Sequence, residues 1–550
     1  MIREIFLRSN MLGLMQNKQL LVSSIIDFAD KNYGDVEIIS KVNKTEKFIY
    51  NYSEATNRIK KLIQALNKLG LKKGDRVATL AWNDHRHFEL YYAISSMGGV
   101  LHTINPRLFE EQIIYIANHA EDKILFFDES FSSLICNISK KLLTIDHYVI
   151  MQSHKSNPGI KLENLLSYEN IIDQKNIDIE WPQFKEDDAC SLCYTSGTTG
   201  NPKGVLYSHK STLLHAWATA TPDTLGISSS SVVMPVVPMF HANAWGLVYA
   251  APMSGSKLVL PGSEMDGKSI YEIINDEGIT ISAGVPTVWL MLLNYMDEIK
   301  GSIDTVKNLV IGGSAAPKSM IKDFFEKYNV TVLHAWGMTE MSPLGTVSRL
   351  LPKHSKLSYE EKLNLSAKQG RAIFGVEMII TDDDGKLMPR DGSSFGNLKV
   401  RGPWITERYF KEDEPIVDKE GWFNTGDVAT IDSDGFMQIT DRSKDVIKSG
   451  GEWISSIDLE NIAIGHEKIL EACVIGIKDF KWDERPLLLV IKDKKSELTK
   501  KEVLDFFVGK VAKWWIPDDV VFVNELPHTA TGKLLKSKLR DEFKGYKINN

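Results

Sequence analysis

Apolar side chains recur at helical spacing over residues 53–71, and this pattern predicts an amphipathic helix that ends at Gly70. Short apolar runs elsewhere predict buried strands. These runs lie at residues 76–82, 123–128, 257–260, 279–283 and 308–311. Because strands that alternate with helices imply parallel sheets joined by right-handed crossovers, most of the chain is expected to form an α/β fold.

The pattern changes after residue 370, where short alternating segments are separated by turn residues. Asp-Gly pairs lie between strand-like runs in residues 381–388 and 432–439, and such pairs are typical of β-hairpins. From residue 442 onward the pattern is typical of a small α+β unit. We therefore expect a domain boundary at Asp441, between a domain of residues 1–440 and a domain of residues 441–550.

A length of 550 residues exceeds what one hydrophobic core normally supports, so two or more domains are expected. The net charge is −7 and no long run of like charges occurs, which argues against a nucleic-acid partner. No stretch reaches the roughly 18 apolar residues that a membrane span requires. The apolar patch near the N-terminus is too short for a secretory signal, so a cytoplasmic enzyme is expected.

The four cysteines are too few and too dispersed for a disulfide framework in a chain of this length. Cys190 and Cys193 form a Cys-x-x-Cys pair, but no second pair of ligands accompanies them, and a zinc site needs four ligands. Both lie in the apolar stretch 189–194. This placement favours two core residues of a buried strand over metal or redox chemistry.

A glycine- and hydroxyl-rich segment at residues 194–204, with the sequence YTSGTTGNPKG, is the strongest local feature. Glycines let backbone N–H groups approach an anion closely, hydroxyls add donors, and Lys203 adds a positive charge. The segment is therefore suited to a polyphosphate. It does not fit the pattern GxxxxGK[ST] of the P-loop, which disfavours the common NTPases and kinases.

Five further motifs follow this loop in the chain. They are GGSAAP at 312–317, HAWGMTE at 334–340, WFNTGD at 422–427, DRSKDVIKSGGE at 441–452 and PHTATGK at 527–533. In this order the motifs resemble the adenylate-forming superfamily of acyl-CoA synthetases, peptide-synthetase adenylation domains and luciferases. The resemblance implies a large N-terminal domain of layered α/β subdomains with a small β-barrel, followed by a mobile α+β C-terminal domain. It also implies ATP, Mg²⁺ and coenzyme A.

The resemblance implies a nucleotide site in which Thr195 and Glu340 supply the hard oxygen ligands that suit Mg²⁺. Asp427 is expected to accept hydrogen bonds from the ribose hydroxyls. Trp336 stands where the family usually has Tyr and is expected to stack on adenine. The implied ATP- and AMP-binding residues are Thr195, Ser196, Gly197, Thr198, Thr199, Gly200, Lys203, Gly313, Ser314, Ala315, Ala335, Trp336, Gly337, Met338, Thr339, Asp427, Arg442 and Lys444.

The resemblance also implies two half-reactions, with Lys533 and Glu340 as catalytic residues. The substrate carboxylate attacks the α-phosphorus of ATP, and the thiolate of coenzyme A then attacks the acyl-AMP. Lys533 is expected to stabilise the charge that develops when carboxylate and phosphate meet. The C-terminal domain is expected to rotate at the hinge Asp441 between the two steps. The residues implied for the thioester-forming state are Lys448, Gly450, Gly451, Glu452 and Trp453.

The acyl pocket is expected to contain His241, Trp245, Gly312 and Gly337. Amino-acid-activating relatives have Asp in place of His241, so an uncharged acyl tail is expected. Acetate-activating relatives have Trp in place of Gly337, so the pocket is expected to extend beyond two or three carbons. Trp245 matches the aromatic gate of fatty-acyl-CoA ligases, although a core role for this indole stays open.

The segments 334–345, 443–461 and 513–523 are similar to those of medium-chain fatty-acyl-CoA ligases. Within that group they are similar to the bacterial ligases that act on 3-methylmercaptopropionate in dimethylsulfoniopropionate breakdown. The predicted activity is ATP-dependent ligation of a short- or medium-chain fatty acid, or of 3-methylmercaptopropionate, to coenzyme A. Long-chain fatty-acid ligation, the loading of a carrier protein and a luciferase-like oxidation stay open as alternatives. A homodimer is expected, because this group often forms dimers.

Overall fold

The computed structural model describes residues 13–152, 160–175, 179–195, 201–442, 445–449, 452–493, 496–528 and 534–546. Its strands are β1 (Glu37–Lys41), β2 (Lys47–Asn51), β3 (Arg76–Leu80), β4 (Val100–Thr103), β5 (Asp122–Asp128), β6 (His147–Met151), β7 (Leu165–Ser167), β8 (Ala189–Tyr194), β9 (Gly204–Ser208), β10 (Val232–Pro235), β11 (Lys257–Leu260), β12 (Ile281–Gly284), β13 (Asn308–Ile311), β14 (Thr331–Gly337), β15 (Leu344–Val347), β16 (Arg371–Ala372), β17 (Glu377–Thr381), β18 (Gly396–Arg401), β19 (Phe423–Ile431), β20 (Met437–Arg442), β21 (Ile447–Ser449), β22 (Glu452–Ile454), β23 (Ile469–Asp479), β24 (Asp483–Lys492) and β25 (Asp519–Phe522).

The α-helices of the same residues are α1 (Ser23–Tyr33), α2 (Tyr52–Lys68), α3 (His85–Ser96), α4 (Glu110–Ala120), α5 (Ser132–Ile138), α6 (Tyr168–Ile172), α7 (His209–Ala220), α8 (Leu247–Met253), α9 (Gly267–Glu277), α10 (Pro286–Ile299), α11 (Lys318–Tyr328), α12 (Tyr359–Ala367), α13 (Ser456–Ile464), α14 (Lys500–Phe506) and α15 (Lys536–Glu542). Short 3₁₀ turns lie at Glu129–Phe131, Ser139–Lys141, Thr339–Met341, Pro352–Lys356 and Lys513–Trp515.

Two large and mostly parallel sheets form the first part of the chain. The seven-stranded sheet has the order β7-β6-β5-β3-β4-β8-β9 and is parallel except for the antiparallel pair β8–β9. The nine-stranded sheet has the order β16-β15-β14-β13-β12-β10-β11-β1-β2 and is parallel from β14 to β1. Its outer pairs at both ends are antiparallel. The predicted α/β fold is confirmed.

Two smaller sheets follow in the chain. The strands β17-β18-β19-β20 form an antiparallel sheet, and the strands β22-β21-β24-β23 form a second sheet in which β25 pairs parallel to β24. The predicted hairpin at 432–439 is the connection of β19 to β20. The small β-barrel stays a prediction: β17 to β20 pair in one line, and Met437 of β20 also forms a bridge with Gly370, which directly precedes β16.

Local sequence signals explain the element boundaries. The helix predicted over 53–71 is α2, which begins after a reciprocal cap in which Asn51 Oδ1 accepts from the Glu54 N–H and the Glu54 carboxylate accepts from the Asn51 N–H. The strands predicted at 257–260 and 308–311 are found with those bounds. The other predicted strands are found with ends shifted by one or two residues, as is usual when the end of a strand is predicted from its last apolar residue.

The main core lies between the two large sheets. Every residue of α3 is buried there, and the core cluster joins side chains of the seven-stranded sheet, such as Val77 and Phe126, to side chains of the nine-stranded sheet, such as Ile38 and Val310. Strands β21 to β25 have a separate core around Leu488. Within the part of the chain that the structure describes, no helix is both long and apolar enough to cross a membrane.

Candidate active site

Many of the predicted site residues lie on segments that follow strand ends, and others lie in the strands β14, β19 and β20. β8 ends at Tyr194, β10 at Pro235, β13 at Ile311 and β14 at Gly337. β10, β13 and β14 belong to the parallel part of the nine-stranded sheet, where loops at the carboxyl ends converge and commonly form ligand sites. The segments that leave these ends are 195–203, 236–246, 312–317 and 338–341.

The phosphate loop is closed at its base by backbone contacts. The Thr195 N–H donates to the Lys203 carbonyl at 2.9 Å, and the Lys203 N–H donates to Thr195 Oγ1 at 3.2 Å. Beside them β8 and β9 pair antiparallel, with Tyr194 opposite Gly204. The two strands that flank the loop therefore lie side by side. The predicted phosphate-binding residues Ser196, Gly197, Thr198, Thr199 and Gly200 lie outside the described residues.

Glu340 is a nearly buried carboxylate, 7% exposed, on the 3₁₀ turn after β14. Its carbonyl accepts a hydrogen bond from the Thr406 N–H at 2.8 Å, and its Oε1 accepts from the Tyr409 hydroxyl at 2.9 Å. Burial, together with the negative charge of Glu340, raises the pKa of Tyr409, so the hydroxyl stays protonated and donates. Sequence reasoning missed Tyr409, because it lies 69 residues from Glu340 and outside the motifs.

Two predicted nucleotide residues, Trp336 and Arg442, both contact a third, Asp427, which is 2% exposed. Trp336 donates its indole N–H to Asp427 Oδ2 at 3.0 Å, and Arg442 Nε lies 2.8 Å from Asp427 Oδ1. The indole of Trp336 packs against Gly345, where a Cβ would fall 2.8 Å from the ring. The structure thus brings the implied ribose residues together. Adenine stacking by Trp336 stays a prediction.

A left-handed turn over residues 242–246 carries Trp245. The φ angles are 42° at Ala242, 54° at Asn243, 50° at Ala244, 54° at Trp245 and 80° at Gly246. Only the last of these residues is glycine, and a left-handed conformation costs other residues roughly 1–2 kcal/mol each. Strained backbone of this kind concentrates at functional sites and persists only where its surroundings enforce it.

Asn243 anchors this strained turn to the strand that precedes the phosphate loop. Its Nδ2 donates to Ser191 Oγ at 3.0 Å, and Cys193 Sγ lies 3.6 Å from its Oδ1. Both partners lie on β8, which leads directly to Thr195. The segment that carries Trp245 and the segment that carries the phosphate loop are therefore tied through one side chain.

The indole of Trp245 covers the glycine turn after β13. A Cβ on Gly312 would lie 3.0 Å from Trp245 Cη2, so the absence of a side chain at Gly312 leaves the space that the indole fills. Trp245 is 8% exposed, which suits a closed gate and a core residue equally. His241 begins the left-handed turn, and its N–H donates to the Pro238 carbonyl at 3.0 Å. The gate stays a prediction.

Gly337 does not leave open space for an acyl tail, and that part of the sequence prediction is wrong. A Cβ at Gly337 would overlap the carbonyl oxygen of Pro343 and would lie 2.7 Å from the carbonyl carbon. Gly337 pairs with Leu344 across β14 and β15, and its missing side chain lets these two backbone segments approach closely. Its physical role is to shape the loop 338–343, which contains Glu340.

Two buried histidines hold turns of the site in place. His215 Nε2 accepts from the Leu344 N–H at 3.0 Å, and burial lowers the pKa of His215 to about 3. His334 Nε2 accepts from the Ala316 N–H at 3.2 Å while its Nδ1 donates to the Ala367 carbonyl at 2.9 Å, and burial lowers the pKa of His334 to about 4. Both rings are thus neutral acceptors that fix backbone. No motif or spacing pointed to His215.

The other predicted nucleotide residues lie on the same loops or at their base. Ala335 is buried in β14, the Met338 N–H donates to the Pro343 carbonyl at 3.1 Å, and the Thr339 carbonyl accepts from the Tyr207 hydroxyl at 2.6 Å. Those in the turn that follows β13 are Gly313, Ser314 and Ala315.

Asp441, the predicted hinge, is buried in β20, the last strand of the four-stranded sheet. Its Oδ2 accepts from the Ser456 N–H at 2.9 Å at the start of α13, and the Ser455 hydroxyl donates to the Thr440 carbonyl. Burial raises the pKa of Asp441. Of the predicted residues beyond it, Lys444, Gly450, Gly451 and Lys533 lie outside the described residues, as do the side chains of Lys448, Glu452 and Trp453.

Cys190 and Cys193 are free, buried residues of β8, as the core interpretation predicts. Burial raises the pKa of Cys190 to about 12 and the pKa of Cys193 to about 11, so both stay as thiols. Among the described residues, no group of three or more His, Cys, Asp or Glu side chains could hold a metal ion by itself.

Two family models match the chain. The model of AMP-binding enzymes matches residues 27–410, and the model of the AMP-binding enzyme C-terminal domain matches residues 458–533. The first match alone spans more than half of the chain. The chain belongs to the AMP-binding enzyme family. The predicted superfamily is therefore confirmed.

Individual relatives agree with this family. The chain is 51% identical to a 3-methylmercaptopropionyl-CoA ligase of Ruegeria lacuscaerulensis, over 97% of this chain and 99% of the relative. It is 50% identical to a medium-chain-fatty-acid–CoA ligase of Ectopseudomonas oleovorans, over 97% of this chain and 98% of the relative. A solved anthranilate CoA ligase in complex with anthranoyl-AMP matches with a TM-score of 0.82 at 25% identity, over 96% and 98% of the two chains. This AMP-binding enzyme is an acid–thiol ligase, as predicted.

Proposed function

We propose that this AMP-binding enzyme activates a short- or medium-chain fatty acid, or 3-methylmercaptopropionate, as an acyl-AMP and transfers the acyl group to coenzyme A. The observation that carries the proposal is an apolar wall, which the indole of Trp245 forms where it packs on Gly312. These two residues lie on loops next to the Glu340 turn and the phosphate loop. Relatives named for these two kinds of acid match along nearly the whole chain. His241 stands where amino-acid-activating relatives have an Asp carboxylate, and this favours a substrate with an uncharged acyl tail.

The described residues suit an ATP site. Lys203 places a cation at the end of the phosphate loop, with its side chain 47% exposed toward solvent. Asp427 and Arg442 offer a carboxylate and a guanidinium to the ribose, and Trp336 fixes the orientation of the carboxylate through its N–H. Bound nucleotide would share Asp427 with these two side chains, so recognition of the sugar depends on a pre-oriented carboxylate.

The donor set fits Mg²⁺ that arrives with ATP. Mg²⁺ usually takes one or two protein oxygens, keeps several waters and takes the rest of its ligands from phosphates. Glu340 and Thr195 supply one carboxylate and one hydroxyl on adjacent loops. The Tyr409 hydroxyl donates to the carboxylate, and the Lys203 N–H donates to the Thr195 hydroxyl oxygen. When bound, the ion would neutralise phosphate charge as pyrophosphate leaves.

The proposed reaction consists of two displacements, and in each of them one bond forms while another breaks. A carboxylate oxygen forms a bond to the α-phosphorus while the bond to the pyrophosphate oxygen breaks; the thiolate sulfur then bonds to the carbonyl carbon while the bond to the AMP oxygen breaks. We assign Lys533 to the first step, where a cation offsets the meeting of two anions. We place the domain boundary at Asp441 and assign Lys444, Lys448 and the segment 450–453 to contacts that differ between the two steps.

The choice among acids would be made by the apolar pocket that we propose next to Trp245. One methylene in an apolar pocket changes discrimination by only about 1–3 kcal/mol, so activity on neighbouring chain lengths is expected to overlap. A thioether such as 3-methylmercaptopropionate is close in shape to a short fatty chain. We therefore expect the two kinds of acid to compete for the same pocket.

A substrate panel tests the proposal. Acids from C2 to C12 and 3-methylmercaptopropionate are compared by kcat/KM with ATP, Mg²⁺ and coenzyme A, and AMP, pyrophosphate and thioester are each quantified. We expect equal amounts of the three products and a maximum at a short or medium chain or at the thioether. If kcat/KM still rises from C10 to C12, acids of C14 and longer are added, and a maximum there supports a long-chain ligase. Thioester formed only on an acyl carrier protein supports carrier loading. Either result refutes the proposal.

Two finer features belong to the same proposal. We propose a homodimer, and light scattering in solution at several protein concentrations tests it, with a monomeric mass at all concentrations as the contrary result. We also propose that the enzyme works in the cytoplasm, where ATP and coenzyme A are available; recovery of the native protein outside that compartment in cell fractionation would contradict this.

A further inference from the structure

Residues 404–412 lie outside the motifs that identify the site, yet they contact it at several points. The Ser342 hydroxyl donates to the Trp404 carbonyl at 2.9 Å, and the Trp404 indole N–H donates to the Leu344 carbonyl at 3.2 Å. The Phe410 N–H donates to the Gly204 carbonyl at 2.8 Å. This segment, which we call the bracket, therefore touches both the loop that carries Glu340 and the end of the phosphate loop.

Within the bracket, Tyr409 contacts two site residues with different parts of one side chain. Its hydroxyl donates to Glu340 Oε1 at 2.9 Å, and its ring lies under Lys203, whose Nζ is 4.6 Å from the ring centre. The ring is also packed against the buried cluster of Cys193, Val205 and Tyr207. Tyr409 is thus rigidly placed between an anion and a cation that belong to two different loops.

We infer that Tyr409 is a positioning residue: its hydroxyl orients Glu340 toward the metal of Mg-ATP, and its ring holds Lys203 near the phosphates. This inference rests on the proposed function. A hydrogen bond from the phenol fixes the rotation of the carboxylate, and loss of such an outer contact typically costs roughly 10–100-fold in metal affinity. A cation over an aromatic ring is held weakly enough to be released to a phosphate.

Two substitutions separate the two parts of the inference. Tyr409→Phe removes the hydroxyl and keeps the ring, so it releases Glu340 and leaves Lys203 in place. Tyr409→Leu removes both. The matched control is Tyr148→Phe, which deletes a half-buried hydroxyl that donates to the Ser139 carbonyl at 3.2 Å, on β6 at the other side of the seven-stranded sheet.

The first readout is the Mg²⁺ concentration that gives half-maximal ATP–pyrophosphate exchange. We expect Tyr409→Phe to raise it roughly tenfold, with the KM for the acid unchanged, and Tyr148→Phe to match the wild type. The second readout does not need turnover: the rise in Tm that ATP gives with Mg²⁺, compared with ATP plus EDTA. Tyr409→Phe should lose most of the Mg²⁺-dependent part of this rise, and Tyr409→Leu should also lose the part that remains in EDTA.

An unchanged Mg²⁺ requirement and an unchanged Mg²⁺-dependent Tm rise in Tyr409→Phe would overturn the inference. So would equal effects in Tyr409→Phe and Tyr148→Phe, since that result would show a general response to a lost hydroxyl. If Tyr409→Leu does not fold, the comparison of the two Phe variants still decides the role of the hydroxyl. A wild-type enzyme that lacks ATP–pyrophosphate exchange with every acid would instead refute the proposed function, whatever Tyr409 does.

Discussion

At the scale of single residues, Gly337 shows how a missing side chain acts. Its Cβ direction points at the Pro343 backbone and not at an apolar pocket. We expect Gly337→Ala to displace the loop that carries Glu340 and to lower kcat/KM at least tenfold by the same factor for acetate, butyrate, 3-methylmercaptopropionate and octanoate. Steady-state kinetics on these four acids provides the measurement.

The control for this substitution is Gly545→Ala, at a position where a Cβ would have no neighbour within 4 Å, and it should match the wild type. A Gly337→Ala variant that keeps acetate activity and loses only the longer acids would restore the pocket-floor interpretation. The sequence predicts that Gly337 belongs to the site. It contained no information on the direction of the absent Cβ, because that direction depends on the pairing of β14 with β15.

At the scale of elements, the left-handed turn 242–246 depends on Asn243. Asn243→Gly keeps a residue that tolerates positive φ but removes the contacts with Ser191 and Cys193, whereas Asn243→Ala removes the contacts and adds strain. We expect both variants to loosen Trp245 and to flatten the dependence of kcat/KM on chain length across C2 to C12. Asn243→Ala should also be less stable than Asn243→Gly by roughly 1 kcal/mol in urea unfolding.

A chain-length profile that stays identical to the wild type in both variants would mean that the turn does not position Trp245. The sequence could not predict this turn, because Ala242, Ala244 and Trp245 do not favour positive φ, and Asn243 and Gly246 tolerate it without requiring it. By contrast α2 could be predicted almost to its ends. Its signals are local: an Asn51 cap, apolar residues at helical spacing and Gly70 after the last turn.

The junction of β20 with the C-terminal part gives a second prediction at this scale. Asp441→Pro fixes φ where rotation between the half-reactions is proposed, so one half-reaction should survive and the other should fall at least tenfold. Asp441→Ala is the control, since it removes the contact with Ser456 but leaves the backbone free. ATP–pyrophosphate exchange and thioester formation from supplied acyl-AMP measure the two steps. Rates near the wild type in both steps for Asp441→Pro would place the hinge elsewhere.

At the scale of the whole molecule, buried neutral histidines couple stability to pH. The pKa of His215 falls to about 3 on burial, from about 6.5 in the unfolded chain. Its neutral form is favoured in the folded state, so this contribution is complete above pH 6.5 and is lost as the pH falls toward 3. In urea unfolding, the free energy of unfolding of the His215→Gln variant should depend less steeply on pH between 6.5 and 4.5 than that of the wild type. The two slopes should differ by about 1.4 kcal/mol per pH unit.

The same comparison between pH 7 and 8.5 serves as an internal control, because His215 is neutral in both states there and the two slopes should agree. Equal slopes for the wild type and the variant between pH 6.5 and 4.5 would show that His215 is protonated as readily in the folded protein as in the unfolded chain. This dependence could not be predicted from the sequence: burial of His215 comes from its packing against Trp404 and from the contact with Leu344, more than 100 residues away.

Family membership followed from motifs, because six of them occur in the order that the family has. The ligand contacts of the motif residues stay a prediction. The supports around them did not follow from motifs. Tyr409, Asn243 and His334 act through contacts that only the folded chain creates, and their side chains have no distinctive spacing.

The acyl-AMP intermediate is the central claim, and oxygen transfer tests it most directly. The acid, labelled with ¹⁸O in both carboxylate oxygens, is converted with unlabelled ATP and coenzyme A, and the AMP is analysed by mass spectrometry. Attack of the carboxylate on the α-phosphorus, followed by cleavage of the acyl–oxygen bond, must leave one ¹⁸O atom in each AMP. We expect this result for 3-methylmercaptopropionate and for octanoate. Unlabelled AMP, or ADP with phosphate as products, would contradict the account.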